Sequence, residues 1–219
     1  MIASPEDVDM ILDQQKIEKI ERFLEKIEKE TYPEPPAEPH LSITRKMFDH
    51  VNTKHAIPQG SKILDVGCGQ GLALELFTQK GFQPTGIALN AEDVMVCRKK
   101  GYNVHQMDQS FLAFDDESFG FIWCRHCIEH SIFPYFTLSE LFRTLKPEGY
   151  LYLEVPAPDT SCRHQTNENH YSVLGKSMWI ELIKRTGFVF YEAVDISFDV
   201  PAGPDMYWAF IQQKEGSKR

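Results

Sequence analysis

The chain has 219 residues, a net charge of −9, 42% hydrophobic residues and 25% charged residues, an ordinary composition for a globular protein. No apolar run reaches the roughly 20 residues of a membrane span, and residues 1–7 lack the basic and apolar regions of a signal peptide. Residues 1–40 carry 11 acidic and 5 basic side chains, so the body is nearly neutral and lacks the positive charge typical of nucleic-acid binding. We therefore expect a cytoplasmic protein that binds neither membranes nor nucleic acid.

An amphipathic helix and a proline-rich linker open the chain. Ser4 and Pro5 are typical of a helix start, and apolar residues then recur every three or four positions as far as Ile27. Four prolines within residues 33–39 require an extended spacer. We therefore divide the chain into residues 1–40, the helix and linker, and residues 41–219, the main domain. The apolar stripe either packs on the chain's own body, the simpler interpretation, or forms a homodimer or covers an active site.

The main domain alternates between strands and helices. A short helix is predicted near residues 43–55. Strands are predicted at 63–66, 84–89, 103–106, 119–124 and 150–155, and helices at 72–79, 91–100, 135–145 and 176–186. Such alternation implies a parallel sheet with helices on both faces. Two strands at 188–196 and 207–213 follow each other without a helix, so we expect them to pair antiparallel at one edge.

The most informative motif is a glycine loop after the first strand. The buried strand runs into Asp65, Gly67, Gly69 and Gly71, and glycines at every second position let the backbone turn sharply under a ligand. A dinucleotide fingerprint needs its third glycine three residues after the second, and a P-loop needs Gly-Lys-Ser/Thr. Neither pattern is present, which disfavours a nicotinamide-dependent oxidoreductase.

This loop resembles the cofactor loop of the class I S-adenosylmethionine-dependent methyltransferases, and the resemblance covers roughly residues 45–213. It implies a Rossmann-like α/β fold: a seven-stranded, mostly parallel sheet with one antiparallel edge strand and helices on both faces, here with an added N-terminal helix. It also implies S-adenosyl-L-methionine as cofactor and S-adenosyl-L-homocysteine as product. Residues Gly67, Cys68, Gly69 and Gly71 would pass under the methionine part, and Asp65 would fix the loop and bind the amino group.

The end of the second strand departs from the family pattern. In the family this strand ends in an acid that binds the ribose hydroxyls, but Ala88 stands here, followed by Leu89 and Asn90. The amide of Asn90, or a water molecule, is the available substitute. Losing a charge-assisted hydrogen bond would weaken cofactor binding by about 1–3 kcal/mol.

The next two strand ends follow the family pattern more closely. Asp108, beside Gln109, matches the acid that receives the adenine amino group, although aspartate also caps turns. The strand exit at Cys124 and Arg125 resembles the backbone that lies against the cofactor, and it runs into the family's Glu-His pair. Residues 143–150 match the helix, turn and strand that follow.

Four residues are candidates for acid–base chemistry. Methyl transfer is an in-line displacement, so the enzyme positions the acceptor and removes one proton, for which histidine is suited near neutral pH. His126 and His130 follow the fourth strand, at the sheet edge where ligands bind. His170 and Tyr171 lie in the long irregular stretch 156–174, which in the family often covers the acceptor. Structural roles stay open: His130 could brace a loop, and His126 could contact the cofactor.

The five cysteines leave two further interpretations, both disfavoured. Cys124 and Cys127 form a Cys-x-x-Cys pair, but Cys124 ends a buried strand and the segment matches the methyltransferase pattern, which argues against redox chemistry. A zinc site of Cys124, Cys127, Cys162 and His164 has suitable ligand types but lacks a second cysteine pair at finger-like spacing. We therefore expect no metal site.

Taken as a whole, the sequence predicts transfer of a methyl group from S-adenosylmethionine to an oxygen or nitrogen of a small metabolite or sugar-like acceptor. A single covering loop favours a small pocket over a groove for a macromolecule. The alternative is a catalytically weak or inactive protein that keeps the cofactor fold and acts as an interaction or oligomerisation module. Ala88 is the residue that favours this alternative.

Overall fold

The computed structural model describes residues 13–33 and 35–216. One compact unit ends at Tyr32 and a second begins at Pro33. The first contains helix α1, Gln14–Glu30, whose N-cap Asp13 accepts a hydrogen bond from the backbone N–H of Lys16 (2.9 Å). The predicted helix start at residues 4–5 lies outside the described residues. The sequence predicts one helix from residues 4–5 to Ile27. In the described residues, Asp13 has an extended backbone and α1 begins at Gln14. Pairing of α1 in a homodimer stays a prediction.

The second unit contains the alternating elements. These are α2 His40–Lys54, β1 Lys62–Val66, α3 Leu72–Gln79, β2 Gln83–Ala88, α4 Ala91–Lys99, β3 Val104–Gln106, β4 Phe119–Arg125, α5 Pro134–Thr144, β5 Leu145–Pro156, α6 Lys176–Thr186, β6 Phe188–Val200 and β7 Gly203–Lys214. Every predicted element is present, but α2 begins at His40 instead of residue 43, and β6 and β7 extend to the tight turn between them. Of the helices described, none is long and apolar enough to cross a bilayer.

The seven strands form one sheet in the order β3-β2-β1-β4-β5-β7-β6. Strands β1 to β5 pair in parallel, whereas β7 runs antiparallel to both β5 and β6. The predicted antiparallel pair at one edge is confirmed; β7 is the antiparallel strand, and β6 occupies the outermost position. The strand order reverses between β1 and β4, and in open parallel sheets the crevice beyond this switch point binds ligands.

Alternating side chains fill a core on each face of the sheet. On β4, Phe121 and Trp123 join a cluster covered by α2 and α3, whereas Ile122 and Cys124 join a cluster covered by α5 and α6. Successive strand residues point to opposite faces, so apolar residues at every position produce two buried layers. This three-layer packing holds the carboxyl ends of β1, β2, β4 and β5 in a fixed arrangement, and the candidate site lies at these ends.

Candidate active site

The glycine loop, residues 67–71, leaves β1 and enters α3. The backbone N–H groups of Gly67 and Cys68 both donate to the carbonyl oxygen of Ile87 on β2 (3.0 Å each), which fixes the start of the loop. Gly67, Gly69 and Gly71 all have positive φ angles (72°, 46° and 91°). A Cβ at Gly67 would lie 2.7 Å from the Cβ and Sγ of Cys127. The loop therefore requires glycine at Gly67 for both backbone conformation and space.

Asp65, the last acid before the loop, is a buried carboxylate. Asp65 is 3% exposed, and its Oδ2 accepts no hydrogen bond from the described residues. Burial raises the pKa of Asp65 to about 8; the nearby Cys97 adds to this effect and Arg125 opposes it. A cation that reaches this carboxyl would stabilise its ionised form.

The end of β2 carries no acidic side chain. Ala88 is buried and has no polar side-chain atom to offer a ligand. Asn90 caps α4: its Oδ1 accepts hydrogen bonds from the backbone N–H groups of Glu92 (2.9 Å) and Asp93 (3.3 Å). The backbone carbonyl of Leu89 accepts from Gln106 (3.2 Å). The capping role occupies the oxygen of Asn90 that would replace the family's carboxylate.

Asp108 and Gln109 connect the end of β3 to the exit of β4. The Oδ1 of Asp108 accepts a hydrogen bond from the backbone N–H of Ser110 (2.7 Å), so one of its oxygens caps the turn. Gln109 is buried, and its amide donates to the carbonyl oxygen of Cys127 (2.7 Å). The Gln109 Oε1 has no hydrogen bond within the described part of the chain.

Beyond β4, a buried ion pair joins two neighbouring strands. Cys124 is fully buried, and the Nε of Arg125 lies 2.8 Å from Oε1 of Glu154 on β5. The hydroxyl of Tyr152 donates to the other oxygen of Glu154. On its far side, Arg125 donates to Nδ1 of His40 (3.3 Å). Each charge of the pair is therefore held by a second polar contact, as buried ions require.

His126 lies between two buried carboxylates. Its Nδ1 is 3.4 Å from Oε1 of Glu129, and its Nε2 is 3.2 Å from Oε1 of Glu154. Burial favours the neutral ring, but the close contacts with both glutamates outweigh burial and raise the pKa of His126. Burial also opposes the charge of Glu129, yet contact with His126 lowers the pKa of Glu129 to about 2. Both ring nitrogens of His126 therefore face a carboxylate.

His130 and His170 form an imidazole pair, with ring centroids 4.8 Å apart and the rings edge to face. Nδ1 of His130 is 2.8 Å from the carbonyl oxygen of Asn169, and Nδ1 of His170 is 3.0 Å from that of His164. Because a carbonyl oxygen only accepts, each Nδ1 carries the proton, and in the neutral ring Nε2 carries the lone pair. Burial lowers the pKa of His170 to about 4, so this ring is neutral at neutral pH.

Residues 157–174, the covering loop, are tied to the exit of β4. The backbone N–H groups of Tyr171 and Ser172 both donate to the carbonyl oxygen of Glu129 (2.8 and 2.9 Å), and the Ser172 hydroxyl donates to the carbonyl of Ser131 (2.6 Å). Tyr171 thus contributes its backbone to the arrangement. These bonds hold His170 over the carboxyl end of the sheet beside His130.

Three residues of the site escape sequence reasoning. His40, at the first position of α2, stacks on Tyr207 of β7 (5.9 Å between ring centroids), and Tyr207 contacts His126 edge-on (3.9 Å). Burial, with the nearby His126 and Arg125, lowers the pKa of His40 to about 4. No motif marks His40 or Tyr207, because they come from opposite ends of the second unit. Glu154 had a signal, since it is the one acid in the apolar run 150–156.

The cysteines considered for redox or zinc chemistry, both disfavoured by the sequence, have other surroundings in the fold. Cys124 is buried on β4, and Cys127 lies against the glycine loop. Among the described residues, neither belongs to a cluster with metal-ligand spacing; Cys162 and His164 meet Asp205 of β7 instead.

Fold and site together define a class of protein: methyltransferases of the class I, Rossmann-like fold, which use S-adenosylmethionine. The family model described as "Methyltransferase domain" matches residues 15–178, and the chain belongs to this family.

The curated relatives are similar over part of their length. The chain is 32% identical over 126 residues to the ubiquinone biosynthesis O-methyltransferase of Xanthomonas campestris, covering 54% of this chain and 52% of that protein. It is 29% identical over 117 residues to the protein of the same name from Haemophilus ducreyi, covering 48% and 50%. The chain thus spans about half the length of the curated relatives it matches.

Solved structures support the fold. An S-adenosylmethionine-dependent methyltransferase from Archaeoglobus fulgidus has a TM-score of 0.61 at 20% identity, over 78% of this chain and 94% of that one. The cyclase SpnF has a TM-score of 0.68 at 18% identity, over 93% and 95%. Since one neighbour is a cyclase, the reaction has to be argued from the site and not from the fold.

Proposed function

We propose that this protein transfers a methyl group from S-adenosylmethionine to a hydroxyl oxygen of a small polar molecule. The observation that carries the proposal is the neutral His170 beside His130, held by the covering loop at the exit of β4. The partial relatives named as O-methyltransferases favour oxygen over nitrogen as the acceptor atom.

The residues around the glycine loop fit the cofactor. The amino acid part of S-adenosylmethionine carries an ammonium group, which would favour the ionised form of the buried Asp65 carboxyl, whose Oδ2 has no hydrogen bond in the described chain. When bound, this cofactor supplies a methyl group activated by a positively charged sulfur. The proposed cofactor-binding residues are those of the loop and of the next three strand ends: Asp65, Gly67, Cys68, Gly69, Gly71, Ala88, Leu89, Asn90, Asp108, Gln109, Cys124 and Arg125.

The ribose contact is the weakest part of this proposed site. Ala88 offers no acceptor, and the Oδ1 of Asn90 already caps α4. The Nδ2 of Asn90 is the group left to donate to a ribose hydroxyl. A neutral contact in place of a carboxylate predicts a lower affinity, by about 1–3 kcal/mol.

His170 is the proposed general base. A hydroxyl loses its proton as the methyl group arrives, and a positioned base raises the rate by about 10²–10⁴-fold. The backbone carbonyl of His164 fixes the proton on Nδ1 of His170, so Nε2 is the accepting atom. His130, held in the same tautomer by Asn169, is proposed to contact the acceptor beside His170.

The charged cluster beneath the pair has a proposed positioning role. His126, Glu129, Glu154 and Arg125 form a closed network of basic and acidic side chains. The network holds the backbone of residues 125–130, from which His130 projects.

The test is formation of S-adenosylhomocysteine, measured by mass spectrometry with a panel of paired hydroxyl and amine acceptors of the same skeleton. We expect turnover with small hydroxyl compounds, and a loss of about 10²–10⁴-fold in His170→Asn. His50→Gln, a change to an α2 histidine that pairs with Glu192 away from the site, is the matched control. Turnover should be flat across neutral pH and fall below about pH 4, where His170 becomes protonated. Transfer to amines only, or undiminished activity in His170→Asn, would contradict the proposal.

A further inference from the structure

The covering loop carries a second cluster of chemically active side chains. One potential ligand atom each from Cys162, His164 and Asp205 lies within 4.8 Å of the other two. Cys162 and His164 belong to the covering loop, whereas Asp205 lies on β7, paired with Phe198 of β6. A thiol, an imidazole and a carboxylate from two separate segments therefore meet at one point.

The three groups converge on the Asp205 carboxylate. The Asp205 side chain is 1% exposed, and Nε2 of His164 lies 3.1 and 3.0 Å from its two oxygens. The Sγ of Cys162 lies within 4.8 Å of a ligand atom of each of these two residues. In a nucleophilic triad the imidazole stands between acid and thiol and uses one nitrogen for each. Here both groups face the same carboxylate, which is how ligands are arranged around a metal ion.

We propose that Cys162, His164 and Asp205 bind a zinc ion that fastens the covering loop to β7. Thiolate, imidazole and carboxylate are the three ligand types of protein zinc sites, and three protein ligands leave the fourth position to water. Around tetrahedral zinc, a histidine nitrogen and a carboxylate oxygen lie about 3.4 Å apart. The His164–Asp205 distances are already close to this value. Binding displaces the thiol proton to solvent, and Nε2 of His164 exchanges its hydrogen bond to Asp205 for the metal, so the neutral ring then carries its proton on Nδ1.

This site differs from the zinc set considered from the sequence. Cys124 and Cys127 are not part of it, and the carboxylate comes from β7, 41 residues after His164. The link to His170 is direct, because the carbonyl oxygen of His164 accepts from Nδ1 of His170 (3.0 Å) and the two rings stack (5.9 Å). Zinc would thus hold in place the residue that fixes the tautomer of His170. Only this last consequence rests on the proposed function; metal binding itself does not.

Metal binding is tested on the full chain after treatment with a chelator, using Zn²⁺ and Co²⁺ salts alone. We expect one Zn²⁺ per chain, and a near-ultraviolet thiolate-to-cobalt absorption band with Co²⁺. Cys162→Ser, a change at an exposed loop position, should abolish the band and weaken zinc binding by more than about ten-fold. Cys127→Ser is the matched thiol control, and His130→Gln tests the neighbouring Glu129–His130–His170 cluster. Both controls should keep the band.

The clamp is tested by trypsin, because Arg163 lies between two of the ligands and is exposed. Zinc should slow cleavage after Arg163 several-fold in the parent protein. In Cys162→Ser, zinc should leave the rate of this cleavage unchanged. No cobalt–thiolate band in the parent, a band that persists in Cys162→Ser, or one lost in either control would overturn the site. Zinc binding at Cys162 without protection of Arg163 would overturn the clamp.

Discussion

Replacing Asp65 by Asn should stabilise the cofactor-free protein at alkaline pH and weaken cofactor binding. Burial raises the pKa of this carboxyl to about 8 from its ordinary 3.8, a difference that corresponds to about 5–6 kcal/mol. The folded-state pKa lies above the unfolded one, so the stability that Asp65 contributes is fully present below about pH 4 and is lost as the pH rises to about 8. Asparagine cannot ionise, so the variant does not lose this stability as the pH rises. Its buried amide costs about 1–3 kcal/mol at every pH.

The assay is urea unfolding followed by tryptophan fluorescence at about pH 5 and about pH 8.5, without cofactor and with a chelator present. The parent should lose several kcal/mol between these values, and Asp65→Asn should lose much less. Asp205→Asn is a control of opposite sign: burial opposes the charge of Asp205, but its contacts with Nε2 of His164 and with the backbone N–H of Met206 help to outweigh burial and lower its pKa. Its variant should therefore be weaker than the parent at the higher pH. If Asp65→Asn is no more stable than the parent at about pH 8.5, the assignment of an uncompensated buried carboxyl is wrong.

Three other substitutions test the site. Ala88→Asp should restore the family's acid and lower the dissociation constant for S-adenosylhomocysteine by about ten-fold in calorimetry, and an unchanged constant would mean that the ribose lies elsewhere. Gly67→Ala, with its Cβ 2.7 Å from Cys127, should lower both Tm and affinity for the same ligand; a thermal shift equal to the parent's would refute the steric argument. Glu154→Gln removes the carboxylate that pairs with Arg125 and contacts His126, and should cost about 3–5 kcal/mol in urea unfolding. The more exposed ion pair of Glu192 should cost no more than about 1 kcal/mol in Glu192→Gln, and equal costs would contradict the role given to burial.

The parts of the fold that follow from short stretches of sequence could be predicted, because local patterns determine them. The run Ile63–Gly71 contains the strand, the turn and the helix start in nine consecutive residues, and α3 and α6 have the predicted bounds. The start of α1 could not be predicted from its apolar spacing, because Asp13 offers a competing N-cap within the same periodic pattern. The position of β7 inside the sheet depends on pairing between distant strands, which a single strand's pattern does not encode.

The candidate site could be predicted only in part, for the same reason. His126, His130 and His170 were recognisable because histidines are scarce and follow strand ends. The raised pKa of His126, which sets it apart from His170, depends on Glu129 and Glu154, which approach His126 through the fold. His40 and the Asp205 cluster come from segments far apart in the sequence, so no local spacing points to them.

The central claim is that the glycine loop binds an S-adenosylmethionine-type cofactor despite the missing acid at Ala88. The most direct measurement is a calorimetric titration of the full chain with S-adenosylhomocysteine, beside Gly67→Arg as a variant whose side chain fills the loop. The account predicts micromolar binding to the parent and none to Gly67→Arg. No binding to the parent under conditions where it is folded would contradict the account and favour a protein that keeps the fold as an interaction module.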